Sequence, residues 1–361
     1  MKKIVTASIV LFFLSTLTAA FFLWTQFAHE KNSEDSSEVI FEVKTGMSFP
    51  HIVKQLHALG VVNNASMFSL YAKVKGEAGK MKVGEYGLRK DLTPGEVLAI
   101  INSGKSIGRD FTVPEGLSIY EIAEMYEEEG FGTQSEFLKT VKDKEFIKSL
   151  TGQELDSLEG YLFPETYSVT KFTETKALVT MMYQRFSKIW SEIEPLAKGA
   201  ILNKHQIVTL ASIVEKETGA PEERPVISSV FHNRLKLGMR LQTDPTVIYG
   251  KADLTGKIVI NITRADLTTP TKYNTYTIPA LPPGPIAAPS KEALLAAIQP
   301  AGTDFLYFVS KNEGTHTFSK DYAGHLKAVK KFQLDPSARE GKSWRDLKKN
   351  KAKNLPSEQN K

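Results

Sequence analysis

The chain has 361 residues, enough for two or three domains with cores of their own, and its 41% hydrophobic and 24% charged content is ordinary for a globular protein. Cysteine is absent, which excludes a disulfide framework, thiolate metal sites and a cysteine nucleophile. The net charge of +5 is modest and gathers toward the C-terminal segment rather than into a basic groove, so no nucleic-acid partner is expected.

Met1-Lys2-Lys3 precedes a run from Ile4 to Trp24 without a charge. Such a run spans a bilayer as a helix, and Lys2 and Lys3 place the N-terminus in the cytoplasm. Thr18-Ala19-Ala20 offers the small residues of a cleaved signal, but Phe21-Phe22-Leu23-Trp24 carries the apolar run past it and Trp24 suits an interfacial anchor. Residues 1–28 are therefore read as an uncleaved single-pass anchor in the cytoplasmic (inner) membrane, with everything after it extracytoplasmic. Residues 29–38 are polar and aperiodic, which predicts a flexible linker.

Order is expected from Val39-Ile-Phe-Glu-Val43, a strand by alternation, followed by a Thr45-Gly46 turn and a Ser48-capped helix with Ile52, Val53 and Leu56 that Gly60 ends. The same pattern returns seventy residues on, where Phe111-Thr-Val113, Gly116, Ser118, Ile122 and Gly130 repeat Phe41-Glu-Val43, Gly46, Ser48, Ile52 and Gly60. One supersecondary unit is thus used twice within 39–132. The unit resembles the lysin-motif (LysM) modules that hold glycan chains; a βα unit without a ligand has the same pattern. Between the copies, Lys82 to Tyr86 reads as a strand, and Thr93-Pro94 to Gly104 frames a helix.

From Thr133 to Lys198 the pattern is mainly helical, broken by Leu158-Glu-Gly-Tyr-Leu-Phe-Pro-Glu-Thr-Tyr167, where Gly160 and Pro164 prevent helix. Aromatic rings beside Glu159 and Glu165 suit a sugar-binding wall, and equally an ordinary core. In Ile207–Thr218, residues Ile207, Leu210, Ala211 and Val214 follow helical spacing, and Glu217 continues their stripe while Glu215 points away at its edge. Gly219 and Pro221 stop the helix, so Glu217 falls in its last turn. A carboxylate half-sunk among apolar groups has the raised pKa a general acid needs, though a solvated Glu-Lys-Glu helix end fits the same local pattern.

Beyond it a helix is expected with Val226, Val230, Phe231 and Leu235 inward, then the polar cluster Arg240, Gln242, Thr243, Asp244 and Thr246, which Pro245 keeps from being continuous strand. Thr271–Tyr276 alternates rings with amide and hydroxyl groups, and Leu281–Pro289 is too proline-rich for a central strand. Ser290 caps a helix to Ile298, Phe305–Val309 is an apolar strand, His316-Thr-Phe318 ends that region, and a last helix carries His325. The histidine spacings match no zinc site, and HExxH and phosphate-binding glycine loops do not occur. Carboxylate chemistry among Tyr, Asn, Gln and Thr remains, which suits a polyhydroxylated, N-acetylated substrate.

ASIVEKET (211–218), HNRLKLGMRLQTDPTVIYG (232–250), YNTYTI (273–278), LPPGPIAAP (281–289), the HTF of 316–318 and the LEGYLFPETY segment resemble the YceG-like (MltG) family of endolytic peptidoglycan lytic transglycosylases. The resemblance runs from about Phe41 to His325. It implies cleavage of the β-1,4 bond between N-acetylmuramic acid and N-acetylglucosamine within nascent strands. The muramic C6 hydroxyl attacks in place of water and leaves a 1,6-anhydro end, without cofactor or metal. The family's catalytic glutamate, the second of its E-K-E motif, maps onto Glu217. Glu159, Tyr167, Gln242, Thr243, Asp244, Tyr273 and Asn274 are the expected substrate-binding residues. A hydrolase using Asp244 or Glu159 as a second carboxylate, and a non-catalytic glycan-binding wall protein, are the competing readings. The family also implies coupling to peptidoglycan synthases (penicillin-binding proteins).

The expected architecture is α+β: an N-terminal transmembrane helix, a LysM-like βα region (39–132), a mixed α/β catalytic domain (133–335) with a helix-borne Glu, and a basic disordered tail (336–361).

Overall fold

The computed structural model describes residues 2–335 and 337; the expected disordered tail, Ser337 apart, lies outside the described residues. The described residues divide into two compact units, one running through Asp110 with Ser168–Thr173 added, the other comprising Phe111–Tyr167 and the described residues from Glu174 on.

The first unit opens with α1 (Lys2–His29), a helix long and apolar enough to cross a membrane over Leu11–His29, where mean hydropathy is 1.5. Then come β1 (Glu38–Val43), α2 (Phe49–Ala58), α3 (Ala65–Val74), β2 (Gly84–Arg89) and α4 (Pro94–Ser103). β1 and β2 are antiparallel with Phe41 opposite Tyr86, and this face packs with Leu56, Phe68, Leu88 and Ile101 into one core. Thr93 and Glu96 close a capping box at the start of α4, and Gly104 ends it in a left-handed conformation, as the sequence predicts. The expected elements did not include α3, although Asn64 caps it by accepting the Met67 N–H and Phe68, Tyr71 and Ala72 follow helical spacing. The linker expected over 29–38 is also tied down: Asn32 is buried and its amide donates to the carbonyls of Val61 at 2.6 Å and Leu92 at 2.5 Å, while Lys31 pairs with Asp91. These bonds to backbone carbonyls hold a stretch whose polarity made it read as a free tether.

β3 (Arg109–Thr112) and β4 (Thr166–Val169) form a two-stranded sheet. The internal repeat is reproduced at backbone level. Gly46 and Gly116 have φ of 79° and 77°, and Ser48 and Ser118 stand at the N-caps of α2 and α5 (Ile119–Glu128). Only Ser118 closes a capping box, with Glu121; Ser48 makes no side-chain cap bond. The first copy lies in the first unit, and the second from Phe111 on in the other.

The second unit continues with α6 (Gln134–Val141), α7 (Lys144–Thr151), α8 (Thr175–Ile193), α9 (Lys204–Glu217), α10 (Arg224–Lys236), α11 (Asp244–Thr255), α12 (Arg264–Thr268), α13 (Lys291–Ile298), the antiparallel pair β5 (Tyr307–Ser310) and β6 (His316–Ser319), and α14 (Tyr322–Val329). It is built around α9, which packs against α10, α11 and α13. Every residue from Ile207 to Val214 is buried, so the helix is enclosed all round rather than amphipathic. Its hydroxyls bond locally: Thr209 Oγ1 donates to the His205 carbonyl at 2.8 Å and Ser212 Oγ to that of Thr209 at 2.7 Å. Ser212 Oγ also accepts the N–H of Ile286 at 3.0 Å, which fastens the proline-rich 281–289 segment along α9.

Three local expectations change. On α10, Val230 and Phe231 are buried as expected, but Val226 and Leu235 are only partly so, and Ile227 and Arg234 are buried instead, Arg234 turning inward to bond two carbonyls. Asp244–Thr255 is helix: Pro245 stands in the first turn, where its fixed φ suits helix entry and its missing N–H costs no bond. His316–Phe318 belongs to β6, with Phe318 opposite Phe308 of β5.

Candidate active site

Glu217 is the last residue of α9, with the extended Thr218 as C-cap. The unpaired carbonyls at this end of a helix disfavour a negative charge. The carboxyl is half-buried at the end of a helix buried from Ile207 to Val214, and desolvation pushes its pKa from 4.5 up to about 7. The Thr243 hydroxyl, which donates to Glu217 Oε1, and the charge of Arg234 pull the other way, while the charge of Asp244 adds to the rise.

Thr243 is held for this contact from its backbone. Its N–H donates to Thr275 Oγ1 at 3.0 Å, and its carbonyl accepts from Thr246 Oγ1 at 2.7 Å. Thr246 and Thr275 are fully buried and their hydroxyls lie 2.8 Å apart. The preceding residue, Gln242, has φ +49°, a left-handed conformation that an L-residue adopts only where its surroundings impose it. Its N–H is tied to the Thr275 carbonyl at 3.2 Å. Asp244 accepts from the Tyr276 hydroxyl at 2.7 Å. Burial, and then this bond to a carboxylate, push the Tyr276 phenol pKa up.

Glu217, Gln242, Thr243, Asp244 and Tyr276 share a cavity of about 400 Å³ whose remaining wall is Arg234, Tyr307, Phe308, Tyr322 and His325. Arg234 is fixed by bonds from Nε to the Leu306 carbonyl at 2.7 Å and from Nη1 to the Leu241 carbonyl at 2.6 Å. Its guanidinium lies over the Tyr307 ring, which stacks on His325 at 5.0 Å. Burial first, then the Arg234 charge, lower the His325 pKa, so the imidazole stays neutral at neutral pH.

Glu215 faces a different environment. It accepts from Arg224 Nη2 at 2.8 Å, from the Ser290 N–H at 2.9 Å and from the Ser290 hydroxyl. The side chain is only 5% exposed, so it is neither solvated nor free, and the surface reading of the Glu-Lys-Glu end does not hold for it.

Of the residues expected to hold substrate, Gln242, Thr243 and Asp244 join Glu217. Glu159 and Tyr273 line another cavity of about 400 Å³, with His205 and Pro283–Pro285. Glu159 is 2% exposed, and burial pushes its pKa up to about 8 against the lowering effect of the Ile119 N–H at 2.9 Å. Tyr167 is buried and its hydroxyl donates to the Phe163 carbonyl at 2.5 Å, which leaves it no face for a glycan. Asn274 is fully buried: its amide donates to the carbonyls of Asp266, Leu267 and Thr269 around the end of α12, and its Oδ1 accepts the Tyr276 N–H at 2.9 Å. It positions Tyr276 rather than touching the cavity. Sequence reasoning missed Arg234, Tyr276, Tyr307, Phe308 and Tyr322, and noted His325 without a role; nothing local to those residues marks the cavity they share.

The YceG-like family matches residues 41–331. A Bacillus subtilis (strain 168) protein named endolytic murein transglycosylase is 31% identical over 327 residues, covering 86% of this chain and 89% of its own length. A Streptococcus pneumoniae serotype 2 (strain D39) protein of the same name is 29% identical over 354 residues, covering 88% of this chain, which spans 63% of that longer relative. A crystal structure of a YceG-like protein from Listeria monocytogenes superposes with a TM-score of 0.56 at 31% identity, covering 81% of this chain and 99% of that one. With a family match over most of its length and a relative of this identity aligned nearly end to end, the chain belongs to the YceG-like family.

Proposed function

We propose that this protein cleaves murein strands internally as a lytic transglycosylase, with Glu217 as both acid and base. The observation that carries the reading is the carboxyl of Glu217, half-protonated near pH 7 at the end of a buried helix and opening on a polar cavity. The names of the Bacillus and Streptococcus relatives support the substrate class.

In the reaction, protonated Glu217 donates to the glycosidic oxygen as the bond from muramic C1 breaks. The C6 hydroxyl oxygen then closes on C1, and its proton returns to the Glu217 carboxylate. No water is consumed, and the attacking group is already part of the substrate, which supplies the proximity that a second enzyme carboxylate otherwise arranges. Asp244, oriented by Tyr276, supplies negative charge for the oxocarbenium-like transition state. α1 anchors the enzyme with its N-terminus in the cytoplasm, and the β1–α2–α3–β2 unit is a LysM-like module that steadies the strand. The uncharged run from Ile4 to Trp24 behind Lys2 and Lys3 supports the first role, and two helices set between antiparallel strands support the second.

Asp244 in the same cavity is the observation that favours true hydrolysis instead. Mass spectrometry of digested peptidoglycan decides between them: 1,6-anhydro ends are expected, and reducing ends formed with incorporation of ¹⁸O from labelled water would overturn the lytic reading. Glu217→Gln is expected to lose about 10²–10⁴-fold in rate.

A further inference from the structure

α3 carries an apolar face that the core of the first unit does not use. Phe68, Tyr71 and Ala72 point inward, whereas Leu70 is 50% and Val74 65% exposed. Four residues apart, these two side chains stack on one face of the helix. Lys73 and Lys75 are exposed beside them.

The depth of this face is set by α1. The Trp24 ring lies 5.3 Å from that of Tyr71 and the Phe27 ring 6.1 Å from it, so the end of α1 and the middle of α3 are in direct contact. The uncharged run closing at Trp24 is about 30 Å long as a helix, the thickness of a hydrocarbon core. When that run fills the core, Trp24 and Tyr71 stand at its outer boundary, where tryptophan and tyrosine collect. Val74 is one helical turn from Tyr71, and Leu70 is its neighbour.

We propose that the Leu70–Val74 face of α3 is a lipid-binding surface that enters the outer leaflet of the membrane α1 spans, with Lys73 and Lys75 reaching the lipid phosphates. The inference rests on reading α1 as a membrane anchor. Long cationic side chains flanking a short apolar stripe are the composition of an interfacial helix. A single spanning helix leaves its attached unit free to swing; a second contact beside the exit point fixes the first unit against the bilayer.

The cysteine-free sequence makes the test direct, since any introduced cysteine is unique. Leu70→Cys, Val74→Cys and, as a reference on α1, Leu17→Cys are made in the full chain, labelled with an environment-sensitive fluorophore and placed in nanodiscs of phosphatidylglycerol and phosphatidylethanolamine. The expected result is loss of fluorescence at positions 70 and 74 with quenchers near the lipid headgroups, loss at position 17 with quenchers deep in the acyl chains, and protection of all three from aqueous iodide. Labels at 70 and 74 that respond to iodide and ignore the lipid quenchers, while position 17 is lipid-quenched, would overturn the proposal. Protection from both quenchers at 70 and 74 would also overturn it, by showing that a second copy of the chain covers the face. A label at 17 that no lipid quencher reaches would remove the anchor itself and this surface with it.

Discussion

Arg224 Nη2 holds Glu215 Oε1 at 2.8 Å, while Glu217, two residues further along α9, takes its hydrogen bond from the neutral Thr243 hydroxyl. The two acids therefore respond to substitution in opposite ways. Removing Glu215 leaves the buried Arg224 without its close partner and Ser290 without its acceptor, and breaking a buried pair costs roughly 3–5 kcal/mol. At pH 5, where Glu217 is protonated in the folded protein, Glu215→Ala is expected to lower the melting temperature sharply, whereas Glu217→Gln keeps the parent's stability and loses turnover. Calorimetry on both variants, with a strand-cleavage assay on Glu217→Gln, checks the pair; a Glu215→Ala variant as stable as the parent would contradict it.

Stability carries a second signature of Glu217. Its pKa is about 7 in the folded protein against 4.5 for the free side chain, so between these values the folded state holds a proton the unfolded chain has released. The contribution is complete below about pH 4.5 and is lost as the pH rises through 7, with a span on the order of 3 kcal/mol. Glu159, pushed up to about 8, acts in the same direction over a slightly wider window. The melting temperature of the parent should fall from pH 5 to pH 8, and Glu217→Gln and Glu159→Gln should each flatten that fall. Identical slopes in all three proteins would show that neither acid is held neutral by the fold.

The same proton governs activity. Glu217 must be protonated to donate, so kcat/KM is expected to decline as the pH rises through about 7. Thr243 donates to the carboxylate and holds that pKa down, while its backbone is fixed independently through Thr246 and Thr275. Thr243→Val should shift the alkaline limb to higher pH, and Thr243→Ser should restore it. A pH–rate profile of the three proteins reads this directly; an unmoved limb in Thr243→Val would exclude the hydroxyl as a tuning group.

The sequence carried the local half of this site. The end of α9, the capped starts of α4 and α13 and both glycine turns of the repeat are written in neighbouring residues, where caps, left-handed glycines and helical spacing act over one or two turns. The rest depends on partners distant in sequence. Arg234 was invisible because its inward turn is paid for by carbonyls at Leu241 and Leu306. Glu159 and Tyr273 have the composition of a sugar wall, yet line a separate cavity with His205. Asn274 has the right chemistry for an acetamido group, but three carbonyls near the end of α12 already use its amide. Residue type states what a side chain is able to bond; only the fold states which partner reaches it first.

Gln242 combines a conformational cost with a place in the cavity, and the two are separable. At φ +49° a residue with a Cβ bears a cost of about 1–2 kcal/mol that glycine does not. Gln242→Gly should therefore match the parent's stability or exceed it by up to about 1 kcal/mol, since relief of strain offsets the greater freedom of glycine in the unfolded chain. Gln242→Ala keeps the strain and loses the amide. If that amide holds the glycan beside Glu217, both variants lose roughly tenfold or more in kcat/KM, the worth of about 1.4 kcal/mol. Stability from thermal melts and kcat/KM on purified glycan strands should then separate the variants, glycine being the more stable and both being slow. Full activity in Gln242→Gly would show that the left-handed turn serves the backbone contact with Thr275 alone, and that the side chain makes no contact with the strand.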